Sequence, residues 1–229
     1  MLQLQYLTSR KAPVMASCIS RFKSEQFNNY TILVGYGAGR KVDFEVPNPV
    51  EIQTSLKRDT TPDYMSIENT DIVSDRFKSL VEKFEIPNVE FFLAEVELFD
   101  EKVSLSRPKI YMNAYPPGDV GGGKILKNYW WMNIWNKVDV VDRARSIGVW
   151  MPGVNPISVR TFPDENIPDY FLPREGRQRI VIKDGIREHL YRVEGLRGEI
   201  FVSPEFSRAM EQAEIEAGVV DLVMRRNVD

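Results

Sequence analysis

Two acidic segments carry the residue types that a metal-dependent nuclease needs. Pro62-Asp63 is followed, further along the chain, by Asp100-Glu101-Lys102. In this reaction class carboxylates hold magnesium, and a lysine stabilises the attacking hydroxide. In a chain with 28% charged residues, the same combination also arises at the solvated ends of strands. Asp63, Asp100 and Lys102 therefore define the enzymatic alternative for this protein.

The composition removes most other catalytic classes. Cys18 and His189 are the only cysteine and the only histidine. No intrachain disulfide can form, and a zinc site, which uses about three or four Cys or His ligands, has too few of its usual donors. A Cys-His nucleophile pair would have to join these two residues, and neither has the sequence context of such an enzyme. A carboxylate-bound magnesium or calcium site remains open. We expect no enzymatic activity and no cofactor.

Two short motifs resemble catalytic signatures only in part. The run Gly35-Tyr36-Gly37-Ala38-Gly39 lacks the spacing of a dinucleotide fingerprint and the Gly-Lys-Ser/Thr ending of a P-loop, so it indicates a glycine turn. The S-x-x-K spacing occurs at Ser20 and again at Ser106, but the chain has no S-D-N or K-T-G partner. We interpret both S-x-x-K matches as chance.

Acidic residues are the remaining candidates for a binding surface. A solvated face explains each group, and attraction of a basic protein is the functional alternative, since an acidic surface repels nucleic acid. Asp119, in the proline- and glycine-rich loop 116–123, is a further candidate because long loops often carry binding residues. The candidates are a strand group, Glu95, Glu97, Asp100 and Glu101, a C-terminal group, Glu211, Glu214 and Glu216, and the loop residue Asp119.

Length, charge and hydropathy bound the class of protein. The chain has 229 residues, 43% of them hydrophobic, which is enough apolar surface for a core. Its formal net charge of -3 gives no general attraction to nucleic acid or an anionic membrane. No apolar stretch approaches the ~18 residues of a membrane span. The first six residues alternate apolar with polar, unlike a secretion signal, so we expect a cytoplasmic location.

Two amphipathic helices are predicted. The first has Ser74 as its N-cap and must end before Pro87. The second has Ser203 as its N-cap, Pro204 in its first turn and Gly218 at its end. Apolar residues at helical spacing form the buried stripes, which are Phe77, Leu80, Val81 and Phe84 in the first helix and Phe206, Ala209, Met210 and Ala213 in the second.

The rest of the chain is dominated by strand patterns. Residues 60–64 are polar and proline-broken, and we predict a surface connection there. The order of elements predicts an α+β fold with mostly antiparallel sheet, as one domain over residues 1–229 with a β-rich part at about 1–70. The predicted strands are 1–6, 31–34, 42–46, 89–99, 109–115, 129–141, 180–182, 190–193, 199–202 and 219–224.

The aromatic residues are assigned mainly to the core. Trp130 and Trp131 are consecutive in a predicted strand, so they point to opposite faces and cannot form one stacking platform. We expect one of them to contact a helix. Trp131, Trp135, Phe77 and Phe206 are predicted to serve the core, because their spacing places them among apolar neighbours.

The order of several segments resembles a family of bacterial immunity proteins that accompany polymorphic and contact-dependent toxins, formerly catalogued as a domain of unknown function. The resemblance covers roughly residues 60–220. At Gly218-Val219-Val220 the chain lacks the Thr-Gly followed by an aromatic residue that is usual in that family. The segments that carry the resemblance are Ser74-Asp75-Arg76-Phe77-Lys78, Val89-Glu90-Phe91-Phe92-Leu93, Tyr129 to Ile134, Val138 to Asp142 with Ser146, Leu190-Tyr191-Arg192-Val193 and Ile200-Phe201-Val202-Ser203.

The resemblance implies an antitoxin that binds and neutralises one cognate toxin or effector protein acting in the cytoplasm. Such an inhibitor needs a contact surface and no chemistry, and its partner is a protein, not nucleic acid or membrane. A self-associating structural module is a third hypothesis, suggested by the aromatic content of 11%. The sequence leaves open the identity of the toxin and the oligomeric state.

Overall fold

A computed structural model describes the chain in segments. The predicted strands at 31–34, 109–115 and 180–182, the glycine run at 35–39 and the loop 116–123 lie outside the described residues. The described residues are 5–8, 21–22, 41–42, 44–54, 62–67, 70–98, 124–146, 149–151, 170–172, 183, 185–194 and 200–221.

The fold is α+β, as predicted, with two helices and mixed, mostly antiparallel sheets in the described part of the chain. The helices are α1 (Asp75–Lys83) and α2 (Pro204–Gln212). The strands are β1 (Gln5–Thr8), β2 (Arg21–Phe22), β3 (Val50–Thr54), β4 (Tyr64–Ile67), β5 (Thr70–Ser74), β6 (Val89–Leu98), β7 (Lys124–Ile134), β8 (Lys137–Val138), β9 (Val149–Met151), β10 (Tyr170–Leu172), β11 (Leu190–Val193), β12 (Phe201–Val202) and β13 (Gly218–Asp221).

The strands form two larger sheets and one small one. A six-stranded sheet has the order β2-β3-β6-β7-β5-β4, and a five-stranded sheet has the order β13-β1-β12-β11-β8. Strands β9 and β10 pair with each other. The parallel pairs are β3 with β6 and β8 with β11, and the other pairs are antiparallel. The long strands β6 and β7 therefore lie at the centre of the six-stranded sheet.

Both helices begin where the sequence predicts. The Ser74 hydroxyl accepts the N–H of Phe77 at 3.3 Å, and the Ser203 hydroxyl accepts the N–H of Phe206 at 3.1 Å. Each serine thereby satisfies a backbone donor that has no partner within the first helical turn. The apolar stripe of α1 faces inward, and so do Phe206, Ala209 and Met210 of α2, whereas Ala213 lies just after the helix and is exposed. The Phe77 and Phe206 rings meet edge to face with centroids 6.1 Å apart.

The predicted end of α2 at Gly218 is wrong. The helix ends at Gln212, and Glu214 takes a positive φ of 52°. This turn brings Ile215 into the core, where its N–H donates to the Met210 carbonyl at 2.9 Å. Gly218 instead begins the closing strand β13. The burial of Ile215 thus ends the helix before the glycine is reached.

The six-stranded sheet is packed on both faces. One face lies against α1 and α2, where Phe77, Phe206 and Met132 belong to one apolar cluster. The other face carries a second cluster centred on Trp131. Trp131, Phe77 and Phe206 are all 0% exposed, which confirms their assignment to the core.

Trp135 does not follow that assignment. It is half-buried, and the Lys41 ammonium lies 5.9 Å from its ring centroid. Strand β7 has already ended at Ile134, and the Trp135 N–H donates to the Asn88 carbonyl at 3.0 Å. The ring therefore lies beyond the sheet that buries Trp131.

Two predicted strands have different bounds. The run 129–141 is divided between β7, which starts earlier at Lys124, and the short β8. The run 42–46 has no strand at its described positions, although Val42, Phe44 and Val46 pack against the cluster around Trp131. Its apolar alternation reflects packing on the core without strand pairing. The sheet pairing starts later, with β3.

Candidate functional site

The strand acidic group begins on β6. Glu95 and Glu97 alternate with Ala94 and Val96, which are both 0% exposed. Alternate residues of a strand point to opposite faces, so the two half-buried glutamates lie on the face opposite to the Trp131 cluster. Asp100 and Glu101 lie outside the described residues, as does Asp119.

Neighbouring strands extend this face on both sides of β6. Glu51 on β3 is in register with Glu95, and Ile125 on β7 is in register with Glu97. Leu93 lies two residues before Glu95 on the same face, since the side chains of a strand repeat every second residue. We call this surface the open face, and it consists of Glu51, Leu93, Glu95, Glu97 and Ile125.

The open face combines charge with exposed apolar area. Leu93 is 39% exposed and Ile125 is 52% exposed, and these are the exposed large hydrophobic residues in the described part of the chain. Both side chains share this face of the sheet with the carboxylates of Glu95 and Glu97.

Helix α1 limits the open face on one side. The Lys78 ammonium lies 4.8 Å from the Trp130 ring centroid and 5.5 Å from that of Phe91. The Trp130 indole N–H also donates to the Asp75 carboxylate. Trp130 therefore contacts a helix, as we expected for one of the two consecutive tryptophans. Leu93 is in register with Trp130, so the cover that α1 provides stops at this pair.

A β-bulge lies within the open face. Ala94 pairs with Tyr129 and Val96 pairs with Leu126, so β7 has one residue more than β6 over this stretch. Asn128 takes a positive φ of 69°, and the exposed Lys127 lies across from Glu95. Lys127 and Asn128 are thus the two β7 residues that lie opposite the single residue Glu95.

The C-terminal acidic group is exposed but lies elsewhere. Glu211 is on α2, and Glu214 and Glu216 are in the turn that follows. The Arg76 guanidinium of α1 donates to the carbonyls of Ala213 at 2.5 Å and Glu214 at 2.9 Å. These contacts satisfy carbonyls at the end of α2. The structure therefore places the two acidic groups on different elements of the fold.

Pro62, Asp63 and Tyr64 are buried, so the prediction of a surface connection at residues 60–64 is wrong for its described part, 62–64. One carboxylate oxygen accepts the Ser74 hydroxyl, and the other accepts the Glu216 N–H at 2.9 Å. The Asp63 N–H donates to the Glu216 carbonyl at 3.1 Å, and Arg76 lies 3.8 Å from the carboxylate. Asp63 thus joins the start of α1 to the turn after α2. Asp100 and Lys102, its partners in the nuclease alternative, lie outside the described residues.

A second buried carboxylate has no counterpart in the sequence analysis. Asp71 accepts Arg192 Nη2 at 2.7 Å and the Tyr64 hydroxyl at 2.6 Å, and Arg192 Nε donates to the Ile134 carbonyl at 3.1 Å. Burial raises the pKa of Asp71, and the Arg192 charge opposes that rise. The pair connects β5 of one sheet to β11 of the other. An arginine inside the short apolar run Leu190–Val193 is the signal that indicates a buried cation.

The described residues contain no group of three or more Cys, His, Asp or Glu side chains placed to hold a metal ion. None of the helices in the described segments is long and apolar enough to cross a membrane. No protein-family model matches this sequence, and neither does any curated protein.

Proposed function

We propose that this protein is an immunity protein that binds and neutralises one cognate bacterial toxin acting in the cytoplasm. The observation that carries the proposal is the open face, where Leu93 and Ile125 are exposed beside Glu95 and Glu97 on a rigid central part of the sheet. The resemblance of the segment order to immunity proteins supports the same function.

The composition of the open face suits a protein partner. Apolar side chains such as Leu93 and Ile125 lose water when a partner covers them, which stabilises a complex. Carboxylates around them attract a basic protein and speed its encounter. A toxin that acts on nucleic acid is basic at its substrate site for the same electrostatic reason. An acidic inhibitor face is complementary to such a toxin.

The position of the open face suits tight inhibition. Nine of the ten residues of β6 are in register with β7, and β3 pairs with the other side of β6, so the backbone under the face is held on both sides. A preformed surface loses little conformational entropy on binding. A stable interface covers about 800 Å² on each partner, and the exposed residues around the face contribute to that area.

The experiment that tests the function is a protection assay with a purified complex as its second readout. Cells producing the toxin encoded beside this gene should survive when the full chain is co-produced, and the two proteins should elute together in a fixed ratio. A chain that protects no cells and forms no complex with that toxin would contradict the proposal.

The nuclease alternative gives the opposite results in the same experiment. Purified chain would cleave nucleic acid when magnesium is added, and Asp100→Ala would abolish the cleavage. An immunity protein carrying Asp100→Ala should still protect cells, because inhibition by contact needs no metal-bound water. Protection by that variant would therefore exclude the role of Asp100 in catalysis.

A further inference from the structure

Two segments far apart in the chain share one residue pattern. Residues 73–86, which include α1, align without a gap with residues 202–215, which include α2. Buried and exposed positions follow nearly the same order in both segments. Six of the fourteen aligned residues are identical, and these are Val73, Ser74, Phe77, Glu82, Glu85 and Ile86 in the first segment and Val202, Ser203, Phe206, Glu211, Glu214 and Ile215 in the second.

Both helices end in the same way at the same aligned position. Each helix has nine residues, and the second residue after each is a glutamate with positive φ, 50° at Glu85 and 52° at Glu214. The Glu85 N–H donates to the Glu82 carbonyl at 3.0 Å, and the Glu214 N–H donates to the Glu211 carbonyl at 3.0 Å. A positive φ is uncommon outside glycine, so its recurrence at aligned positions is a specific similarity.

Both helix starts are also held in the same way. The Ser74 N–H donates to the Asp63 carbonyl at 2.9 Å, and the Ser203 N–H donates to the His189 carbonyl at 2.9 Å. The Asp63 carboxylate accepts the Ser74 hydroxyl, and His189 Nδ1 lies 2.9 Å from the Ser203 hydroxyl oxygen. His189 therefore holds the position beside α2 that Asp63 holds beside α1.

The two larger sheets repeat one order of strands. Near α1 the order is β4-β5-β7-β6, and near α2 it is β11-β12-β1-β13. Every neighbouring pair in both sets is antiparallel. Helix α1 connects β5 to β6, and α2 connects β12 to β13, which are the strands at the same places in the order. The match thus extends from the helices to the strands on either side of them.

The contacts between the helices are reciprocal. Phe77 and Phe206 are counterparts, and their ring centroids are 6.1 Å apart. The start of α1 reaches the end of α2, where Arg76 Nη2 lies 2.5 Å from the Ala213 carbonyl oxygen. The end of α1 reaches the start of α2, where the ring centroids of Phe84 and Phe206 are 5.0 Å apart. Two copies of one unit contact each other reciprocally when a twofold axis relates them.

We propose that the chain contains two copies of one unit, a β-hairpin followed by a helix and a strand, related by a pseudo-twofold axis that passes between α1 and α2. The first unit is residues 63–98 and the second is residues 189–221. The inference is independent of the immunity function. It also assigns a role to the only histidine, because the counterpart of His189 with Ser203 is the cap at Asp63 and Ser74. His189 is a positioning residue for the start of α2, and Ser203 is not a nucleophile.

Spin-label distances in the full chain test the axis. Ser79 and Glu82 on α1 are exposed, and so are their counterparts Arg208 and Glu211 on α2. A twofold axis exchanges the pair 79–211 with the pair 82–208, so both distances must be equal. Nitroxides are attached to Ser79→Cys with Glu211→Cys, and to Glu82→Cys with Arg208→Cys, each in a chain that carries Cys18→Ser. Circular dichroism verifies folding. Double electron–electron resonance should give overlapping distance distributions, and separate distributions would overturn the axis.

Glycine variants test whether the helix endings are copies. Glycine takes a positive φ without steric cost, so Glu85→Gly and Glu214→Gly should each raise Tm by about 2–4 °C. Glu82→Gly and Glu211→Gly, which lie inside the helices, should each lower Tm by about the same amount. Counterparts that respond with opposite sign would overturn the duplication.

Two variants of His189 test its assigned role. Asparagine has the length of the Asp63 side chain, so it reaches Ser203 only if the backbone beside α2 repeats the geometry beside α1. Both His189→Asn and His189→Ala lose the ring contact with Phe84, which cancels in their difference. His189→Asn should have a Tm about 2–4 °C above that of His189→Ala, since one hydrogen bond is kept. Equal Tm values would overturn the assignment of His189 to the cap.

Discussion

Carboxylates occupy two contrasting regions of this protein. Asp63 and Asp71 are buried, and each accepts at least two hydrogen bonds from groups on other elements. Glu95 and Glu97 lie half-buried on the open face, and Glu211 is fully on the surface. The first region joins helices and sheets, whereas the second gives charge to a surface that the fold leaves uncovered. The same chemical group therefore links elements of the fold or lies at its surface according to what surrounds it.

The largest expected effect is the loss of the buried ion pair. Arg192→Ala removes the cation that faces Asp71, and leaves a carboxylate in an apolar interior. Breaking a buried pair from one side typically costs about 3–5 kcal/mol. Urea denaturation should show a loss of this size in the free energy of unfolding, because Arg192 is only 4% exposed.

The exposed pair on α2 is the matched control for Arg192. Arg208 and Glu205 are 3.7 Å apart and more than half exposed, so Arg208→Ala should cost less than about 1 kcal/mol. The double variant Arg192→Met with Asp71→Leu should recover much of the lost stability, since an apolar pair has no desolvation cost. If Arg192→Ala lowers the free energy of unfolding by less than about 1 kcal/mol, the pair of Arg192 and Asp71 contributes no more than an exposed ion pair does.

The next effect depends on pH. Burial raises the pKa of Tyr191 to about 12, and the charge of Glu188 adds to the rise. In the unfolded chain the phenol ionises near pH ~10, so the folded state holds its proton more tightly. Stability is fully present below that pH and is lost as the pH rises towards the folded pKa. By pH ~11.5 the loss from this residue should reach about 2 kcal/mol.

Tyr191→Phe isolates the contribution of this hydroxyl. Urea denaturation of both chains at pH ~9 and pH ~11.5 should show a smaller alkaline loss in the variant. The other tyrosines are common to both chains and cancel in the difference. Identical alkaline losses would mean that the Tyr191 hydroxyl reaches water despite a residue exposure of 3%.

Asp63 should have an intermediate effect. Asp63→Ala leaves the Ser74 hydroxyl and the Glu216 N–H without their acceptor, and each lost partner of this kind costs about 1–3 kcal/mol. Asp139, which pairs with Lys183 at 2.7 Å and is half exposed, provides the comparison, and Asp139→Ala should cost less than about 1 kcal/mol. Equal thermal stabilities of the two variants would contradict the structural role of Asp63.

The local parts of this structure could be predicted from the sequence. The helix starts at Ser74 and Ser203 follow from caps and apolar periodicity, which depend on residues within a few positions. The strand β6 and the opposite faces of Trp130 and Trp131 follow from period two. The α+β class follows from the order of these elements.

The remaining parts depend on contacts between distant residues. Asp63 is buried because Glu216 lies beside it, and these residues are 153 positions apart. The pair Asp71 and Arg192 spans 121 positions. The exposed Leu93 follows an apolar run that indicates burial, yet it lies in register with Trp130, the ring that Lys78 of α1 contacts. Neither composition nor periodicity contains this information.

The smallest expected effect on stability is at the open face. Glu95 is half-buried but takes part in none of the buried networks described above, so Glu95→Lys should change the free energy of unfolding by no more than about 0.5 kcal/mol, as is usual for surface substitutions of this kind. Under the proposed immunity function, its effect should appear in the kinetics of complex formation with the cognate toxin. Charge reversal slows the encounter with a basic partner and weakens its dependence on salt, whereas the loss of a buried anchor mainly speeds dissociation. Stopped-flow association at two salt concentrations distinguishes these effects, with Glu211→Lys as the control of equal charge. If Glu95→Lys and Glu211→Lys associate as fast as the unmodified chain at both salt concentrations, charge plays no part in recognition. The buried carboxylates and those of the open face would then differ only in how much they contribute to the stability of the fold.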